Sequence, residues 1–382
     1  MSKLNRRDFL KVSAAAGASA VLASCGGTAT EAPAAMPDLT TGEAIPMDAL
    51  IAAAKTEGQL TTIALPHDWA NYGEIIETFK TTYNLTINEL DPNAGSAEEL
   101  EAIRANMDNP GPQAPDVIDI GIGRTTVAMA DGLVAAYKVS TWDSIPMKDP
   151  DGYWWAEYYG ALVFEGNLDI VENMPEDWED LLRPEYRGMV AMAGDVLQSN
   201  ESVQTVLGAG LSRTGGVFEG AAEAGLQFWK EVNDAGNFVP VISDVGKIAQ
   251  GETPLTVQWD YLALANRDTL AGNPELGIVV PRTGVITGPY AGGISAYAPH
   301  PYAARLWWEF VMSDAGQLLY LEGYAHPIRF NDMAARGVIP EELAAKLPPA
   351  EAYANAIFLS IEQLQEANAH ITENWRSVVF GE

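Results

Sequence analysis

The 382-residue chain carries 52 acidic and 22 basic side chains, a formal net charge of −30 at pH 7, and 47% of its residues are hydrophobic. That surplus of negative charge repels nucleic acid and anionic lipid heads. The single cysteine excludes an intrachain disulfide and a thiolate metal cluster, and the histidines (His67, His300, His326, His370) lack metal-ligand spacing.

In chain order, Asn5-Arg6-Arg7-Asp8-Phe9-Leu10-Lys11 precedes an Ala/Gly run that ends in Leu22-Ala23-Ser24-Cys25. The run from Val12 to Ser24 is shorter than the roughly 20 apolar residues that a bilayer span requires. The paired arginines resemble a twin-arginine export signal. Leu-Ala-Ser-Cys resembles a bacterial lipoprotein cleavage box, with Cys25 as the lipidated residue. Residues 1–24 are therefore expected to be a removed signal peptide. Residues 25–46, rich in Gly, Thr, Ala and Pro, are expected to form a flexible linker.

The spacing of Leu50, Ile51 and Ala54 predicts a helix over 47–57, stopped by Gly58. Leu60–Leu65, Leu85–Leu90 and Asp116–Ile120 read as strands, with helices at 74–83, 97–107 and after Thr125. This rhythm predicts a parallel sheet with covering helices and ligand-facing loops beyond the strand ends. Leu133–Val139 reads as a segment crossing between domains. Tyr153–Phe164 is dense in aromatics, and along one strand Trp154 and Trp155 point to opposite faces, so one of them is expected exposed or in a cleft. Gln198-Ser199-Asn200 reads as an N-cap cluster. Strands follow at 188–192, 239–242, 255–258 and 276–280, and helices at 221–231, 259–265, 303–312 and 313–320. The tail, Glu341–Arg376, holds two helical patterns.

Two passages carry a resemblance over nearly the whole mature chain. They are Pro175-Glu-Asp-Trp178-Glu-Asp-Leu-Leu-Arg-Pro-Glu-Tyr-Arg-Gly188, and Ala298-Pro-His-Pro-Tyr-Ala-Ala304 with Trp308 to Gln317. Gly251–Leu255 and Pro281–Gly284 fit the same template. The body resembles the extracellular solute-binding proteins of ABC importers, in the branch of iron, thiamine, polyamine and phosphonate binders. The resemblance implies an α/β fold of two lobes, the type II periplasmic-binding-protein architecture, with a hinge and an inter-lobe ligand cleft. Lobe 1 is expected at 47–137 and 285–325, and lobe 2 at 138–284 and 326–382. The implied partners are a small solute, the ABC permease and the membrane, through the lipid on Cys25. A monomer without cofactor, resident metal or catalysis is expected.

Loop positions after the predicted strands supply the ligand-binding candidates. They are His67, Asp68, Trp69 and Tyr72; Gly95 and Ser96; Arg124 and Thr125; Gln198, Ser199 and Asn200; and Trp259, Asp260 and Tyr261. Tyr158 and Tyr290 lie near the expected crossings. Aromatic walls attract a cationic guest, Asp68 or Asp260 would pair with an ammonium, and Arg124 with a phosphate or carboxylate. Each has an ordinary reading too: Trp69 as core, Arg124 as a surface ion pair, Asp260 as a helix cap. Trp259→Ala is expected to weaken binding and spare the fold.

Ferric binders of this branch use an adjacent Tyr-Tyr pair where this chain has Trp259-Asp260-Tyr261. A hard Fe³⁺ site needs several anionic oxygen ligands, so a small organic, amine or cationic cargo is favoured. A ferric, anionic or metal-complex cargo is the alternative. An exported enzyme is a rival reading, although no G-x-S-x-G elbow, strand-following G-x-G-x-x-G or Cys/His cluster supports it. A sensor lipoprotein reporting to a receptor is another.

Overall fold

The computed structural model describes residues 36–348 and 350–382. The expected first helix forms at Met47–Glu57 and stops at Gly58, which adopts φ +76° and donates its N–H to the Ala54 carbonyl. A left-handed C-terminal residue suits glycine because it has no Cβ to clash. Eleven strands follow: β1 (Gln59–Ile63), β2 (Thr86–Leu90), β3 (Val117–Gly121), β4 (Val134–Ala135), β5 (Trp155–Asn167), β6 (Val190–Met192), β7 (Phe238–Ile242), β8 (Leu255–Trp259), β9 (Leu276–Val279), β10 (Thr287–Ser295) and β11 (His326–Pro327). β1 and β2 pair in parallel, Leu60 opposite Ile87. The remaining strands form one path, β3-β10-β5-β8-β6-β7, with β4 on β10 and β9 and β11 on β5.

β5 organises this path. Its first part, Trp155–Ala161, runs antiparallel to β10. Its second part, Leu162–Asn167, runs antiparallel to β8 and β9. β5 thus changes strand partners between Ala161 and Leu162. Within Leu133–Val139, the segment expected as a crossing, β4 pairs with the end of β10. The sheet is mixed, where a parallel one was expected: β6 pairs in parallel with β7 and β8, and β1 with β2, but the strands through the middle are antiparallel. The physical reason is that a chain that runs out along β5 and returns along β10 must run both ways.

β5 is covered on both faces, and all its residues but Tyr159 are buried. Trp154 and Trp155 are both buried, so of the expectation that one would be exposed or in a cleft, exposure does not hold. Trp155 meets Trp308 and Trp142 edge-on at 5.4 and 6.2 Å.

Residues 37–46, expected as linker, lie against the body. Tyr302 Oη donates to the Pro37 carbonyl at 2.6 Å, the Lys138 amide donates to Gly42 at 2.7 Å, and Ile45 is buried. Apolar Leu39 and Ile45 give this stretch something to bury. Two other segments also pack with the first half. Ser140 donates to Glu309 of helix Pro301–Val311, and Arg329 donates to the Met312 carbonyl and to Asp314. The C-terminal helix Ile361–Trp375 sits on helices Asn200–Arg213 and Ala221–Asp234 of the second half. Its Gln365 also reaches back to the Gly123 carbonyl of the first half at 3.2 Å.

Helices Asn200–Arg213 and Ala221–Asp234 cross where glycines face carbonyls. A Cβ on Gly210 would lie 1.8 Å from the Ala221 oxygen, and one on Gly225 would lie 2.2 Å from that of Val206. Gly210→Ala is expected to destabilise the protein by about 1–3 kcal/mol, since backbone must move apart to admit the methyl. A lower urea midpoint at unchanged m-value would show it. Among the described residues, no helix is long and apolar enough to cross a membrane.

Candidate functional site between the two halves

Four aromatic rings from four elements meet at the crossing. Trp69 lies on the turn between β1 and helix Tyr72–Tyr83. That turn is held by Asn71, in left-handed conformation (φ +67°), whose Nδ2 donates to the Leu319 carbonyl at 2.8 Å. Trp69 Nε1 donates to Tyr158 Oη at 2.7 Å, and its ring meets Tyr261 and Tyr290 edge-on at 5.6 and 5.7 Å. Tyr158 stacks on Tyr290 at 5.3 Å and 5°. Tyr261 opens helix Asp260–Leu270 and meets Tyr158 edge-on at 5.9 Å. Its hydroxyl is buried with no hydrogen-bond partner.

Beneath the rings lies a set of buried carboxyl groups. Asp119 Oδ2 accepts from Tyr72 and Tyr158 hydroxyls, both at 2.9 Å. Glu157 Oε2 accepts from Tyr320 at 2.5 Å and more weakly from Tyr72 at 3.4 Å. Asp119 Oδ1 and Glu157 Oε1 are buried without partners. Glu99 accepts the Asp119 amide at 2.9 Å. From the second half, Glu201 accepts the Trp259 amide at 2.6 Å.

Burial disfavours charge on each of these groups. It pushes Asp119 up to about 6, against the hydrogen bonds that favour its charged form. Burial, then the Asp119 charge, holds Glu157 and Glu99 well above the ordinary range. Burial pushes Glu201 to about 8, and Glu165 on β5 to about 8 as well. Such acids keep protons in the folded state that they lose when unfolded. Their contribution to stability therefore falls as pH rises from about 4 towards 8. Glu201→Gln is expected to flatten this fall, seen as a smaller Tm difference between pH 5 and pH 8 than in the parent protein. Among the described residues, no group of three or more His, Cys, Asp or Glu side chains is placed to hold a metal ion.

Residues 114–360 match the family profile described as bacterial extracellular solute-binding protein. The chain belongs to this family. Residues 3–23 of this solute-binding protein match the twin-arginine translocation signal, so it is exported. Cys25 lies outside the described residues.

The solute-binding protein is similar in structure to the periplasmic binding protein AfuA of Actinobacillus pleuropneumoniae, with exogenous fructose-6-phosphate bound. The identity is 18%, over 84% of this chain and 98% of that one, at TM-score 0.67. Iron-bound HitA of Pseudomonas aeruginosa matches at 16% identity over 84% and 99%, TM-score 0.63. Trichodesmium IdiA (FutA), with iron and citrate, matches at 18% over 85% and 100%, TM-score 0.55. These likenesses establish the two-lobed type II periplasmic-binding fold. A comparison with curated protein sequences found no match.

The fold of this solute-binding protein brings Trp69, Tyr72, Tyr158, Tyr261 and Tyr290 of the sequence candidates together. It gives the others different surroundings. Trp259 is fully buried, its ring filling the room left by Gly288, while the Tyr261 ring fills that left by Gly160. Asp260 is committed to the framework: Oδ1 accepts from the Ala161 and Tyr261 amides, and Oδ2 meets His326 Nε2 at 2.9 Å and Tyr353 Oη at 2.7 Å. Thr125 is buried and donates to the Ile122 carbonyl. Ser96 Oγ accepts the Gly121 amide, and Ser199 caps helix Asn200–Arg213 by accepting the Ser202 amide. Arg124 Nε is buried with no partner, beside the Glu99 charge, and burial lowers its pKa. His67 is exposed and meets Glu89 at 2.6 Å. Gly95 faces the Gln198 carbonyl, and Gly121 faces Asn200, so the two halves touch here.

The carboxylates Glu99, Asp119, Glu157 and Glu201 are absent from the sequence candidates. One signal was available for two of them: an acid set inside an apolar run, as in Val117-Ile118-Asp119-Ile120 and Ala156-Glu157-Tyr158. Acids are almost never fully buried without a reason.

Proposed function

We propose that this protein is an extracellular lipoprotein, anchored through Cys25, that captures a small organic cation between its lobes and delivers it to an ABC permease. The observation that carries the cargo class is the cluster of four aromatic rings packed over a carboxyl set in which one oxygen each of Asp119 and Glu157 has no partner. Each ring face contributes about 0.5–2 kcal/mol of attraction to a cation. A buried carboxylate adds a charge-assisted hydrogen bond to an ammonium. We place the change of lobe within β5, between Ala161 and Leu162, so that Trp69 and Asp119 belong to lobe 1 and Tyr261 and Glu201 to lobe 2. A guest seated there touches both lobes. That contact is required, because a ligand favours closure only by binding the closed form more tightly than the open one.

The protein acts as a monomer and carries out no chemistry on its guest. Small-angle scattering is the test: the radius of gyration is expected to fall on saturation with a bound amine. Unchanged scattering on saturation would contradict a guest held by both lobes.

A second reading rests on one observation, the unpartnered Arg124 Nε in the same region. It favours an anionic cargo, as in the fructose-6-phosphate complex of AfuA. Burial, which disfavours the charged form of that arginine, weighs against it.

A further inference from the structure

Capture of a cation would change the charge balance of the central pair, Asp119 and Glu157, which no cation among the described residues neighbours. Asp119 is faced by Tyr72 from helix Tyr72–Tyr83, Glu99 from helix Ser96–Asn106, Glu157 and Tyr158 from β5, and Tyr320 from helix Asp314–Glu322. Tyr290 from β10 and Tyr261 from helix Asp260–Leu270 lie close enough to sense its charge. Every one of these groups is acidic or neutral. Among the described residues, the ion pairs involve other carboxylates, such as Asp116, Asp260, Asp314 and Asp332, and none reaches Asp119, Glu157, Glu99 or Glu201. Arg124 is close to Glu99 only.

Buried carboxyl groups this close cannot all ionise, so the set holds protons when no cation is present. Asp119 and Glu157 form its centre. The Tyr72 hydroxyl joins them, and each keeps one inner oxygen free of any donor.

We propose that guest and proton compete for the Asp119–Glu157 pair, so that each cation captured expels one proton to solvent. This rests on the cationic reading of the cargo. The step balances: a carboxyl O–H bond breaks, the proton passes to the buffer, and the ammonium takes the vacated oxygen, leaving the net charge of the site unchanged. Parting of the ring cluster over the pair admits the cation, and the pair then supplies the counter-charge by giving up a proton. Burial lifts both groups, and the Asp119 charge lifts Glu157 further, in the direction this exchange needs. The consequence is weak capture in acid and tight capture above neutrality.

The test is calorimetric titration of the purified protein with ethylammonium, tetramethylammonium and 1,4-diaminobutane at pH 7. It is run in phosphate and in HEPES, which is not a primary or quaternary ammonium and whose ionisation enthalpy differs from that of phosphate. The expected result is a buffer-dependent enthalpy corresponding to release of about one proton per guest, with affinity rising up to about tenfold per pH unit below neutrality. Glu157→Gln is expected to abolish the buffer dependence in whatever binding it retains. Should that variant fail to fold, the pH series on the unaltered protein decides alone. Binding of an ammonium with no proton exchange and pH-independent affinity would overturn this inference and leave the cationic cargo standing. No ammonium binding anywhere between pH 5 and pH 9 would overturn both.

Discussion

Trp259→Ala is expected to destabilise the fold by about 3–5 kcal/mol, the cost of emptying a buried indole site. Its position after β8 makes Trp259 a cleft wall in a reading of the sequence, and removal of a cleft wall would spare the fold. Its surroundings assign it another role. The residue is fully buried, and a Cβ on Gly288 would lie 2.1 Å from its ring. It therefore fills the space beside Gly288, where β10 pairs with β5. Gly160 and Gly288 cannot move inward to close the hole, because the antiparallel pairing of β5 and β10 holds both backbones. A urea titration followed by circular dichroism should show a midpoint lowered in proportion. A midpoint within experimental error of the parent protein would mean that the ring is not part of the core.

Asp119→Asn is expected to lower guest affinity about 100-fold, since a hydrogen bond to a charged group is worth about 1.5–3 kcal/mol. It is expected to leave the guest-free protein as stable at pH 7, or more so. The amide keeps an oxygen for one of the two tyrosine hydroxyls and removes a carboxyl that burial holds at about 6, so at pH 7 the native state no longer buries that charge. Binding and stability thus move in opposite directions, which a purely structural role for Asp119 would not produce. Calorimetry with a bound amine and a parallel thermal melt without it read the two effects. Affinity unchanged, or lost together with stability, would remove Asp119 from the site.

The regular elements were legible in the sequence because their signals are local. Helix Met47–Glu57 carries its apolar spacing and its glycine stop, and Ser199 stands as the cap of its helix. The strand partners were not legible. β4 and β5 both look like strands, and only the pairing shows that β5 changes partners along its length. Of the candidate site, the aromatics were legible as loop residues after strands. Trp69, Tyr158, Tyr261 and Tyr290 do converge, although they come from positions as far apart as 69 and 290. Asp260 shows the limit of such reasoning. Its position suits a ligand contact, yet its oxygens are taken by Ala161, Tyr261, His326 and Tyr353, partners distant in sequence. Glu157 is the converse case. An acid amid aromatics looks like the exposed side of a strand until both faces of β5 are covered.

The most direct measurement is a single calorimetric panel at pH 7.5: small primary and quaternary amines, fructose 6-phosphate and ferric citrate, each titrated into the purified protein. Saturable one-to-one binding of an amine, with no heat from the phosphate or the iron complex, is the expected result. Tight binding of fructose 6-phosphate or ferric citrate with no response to any amine would contradict a cation held between the aromatic cage and the buried acids.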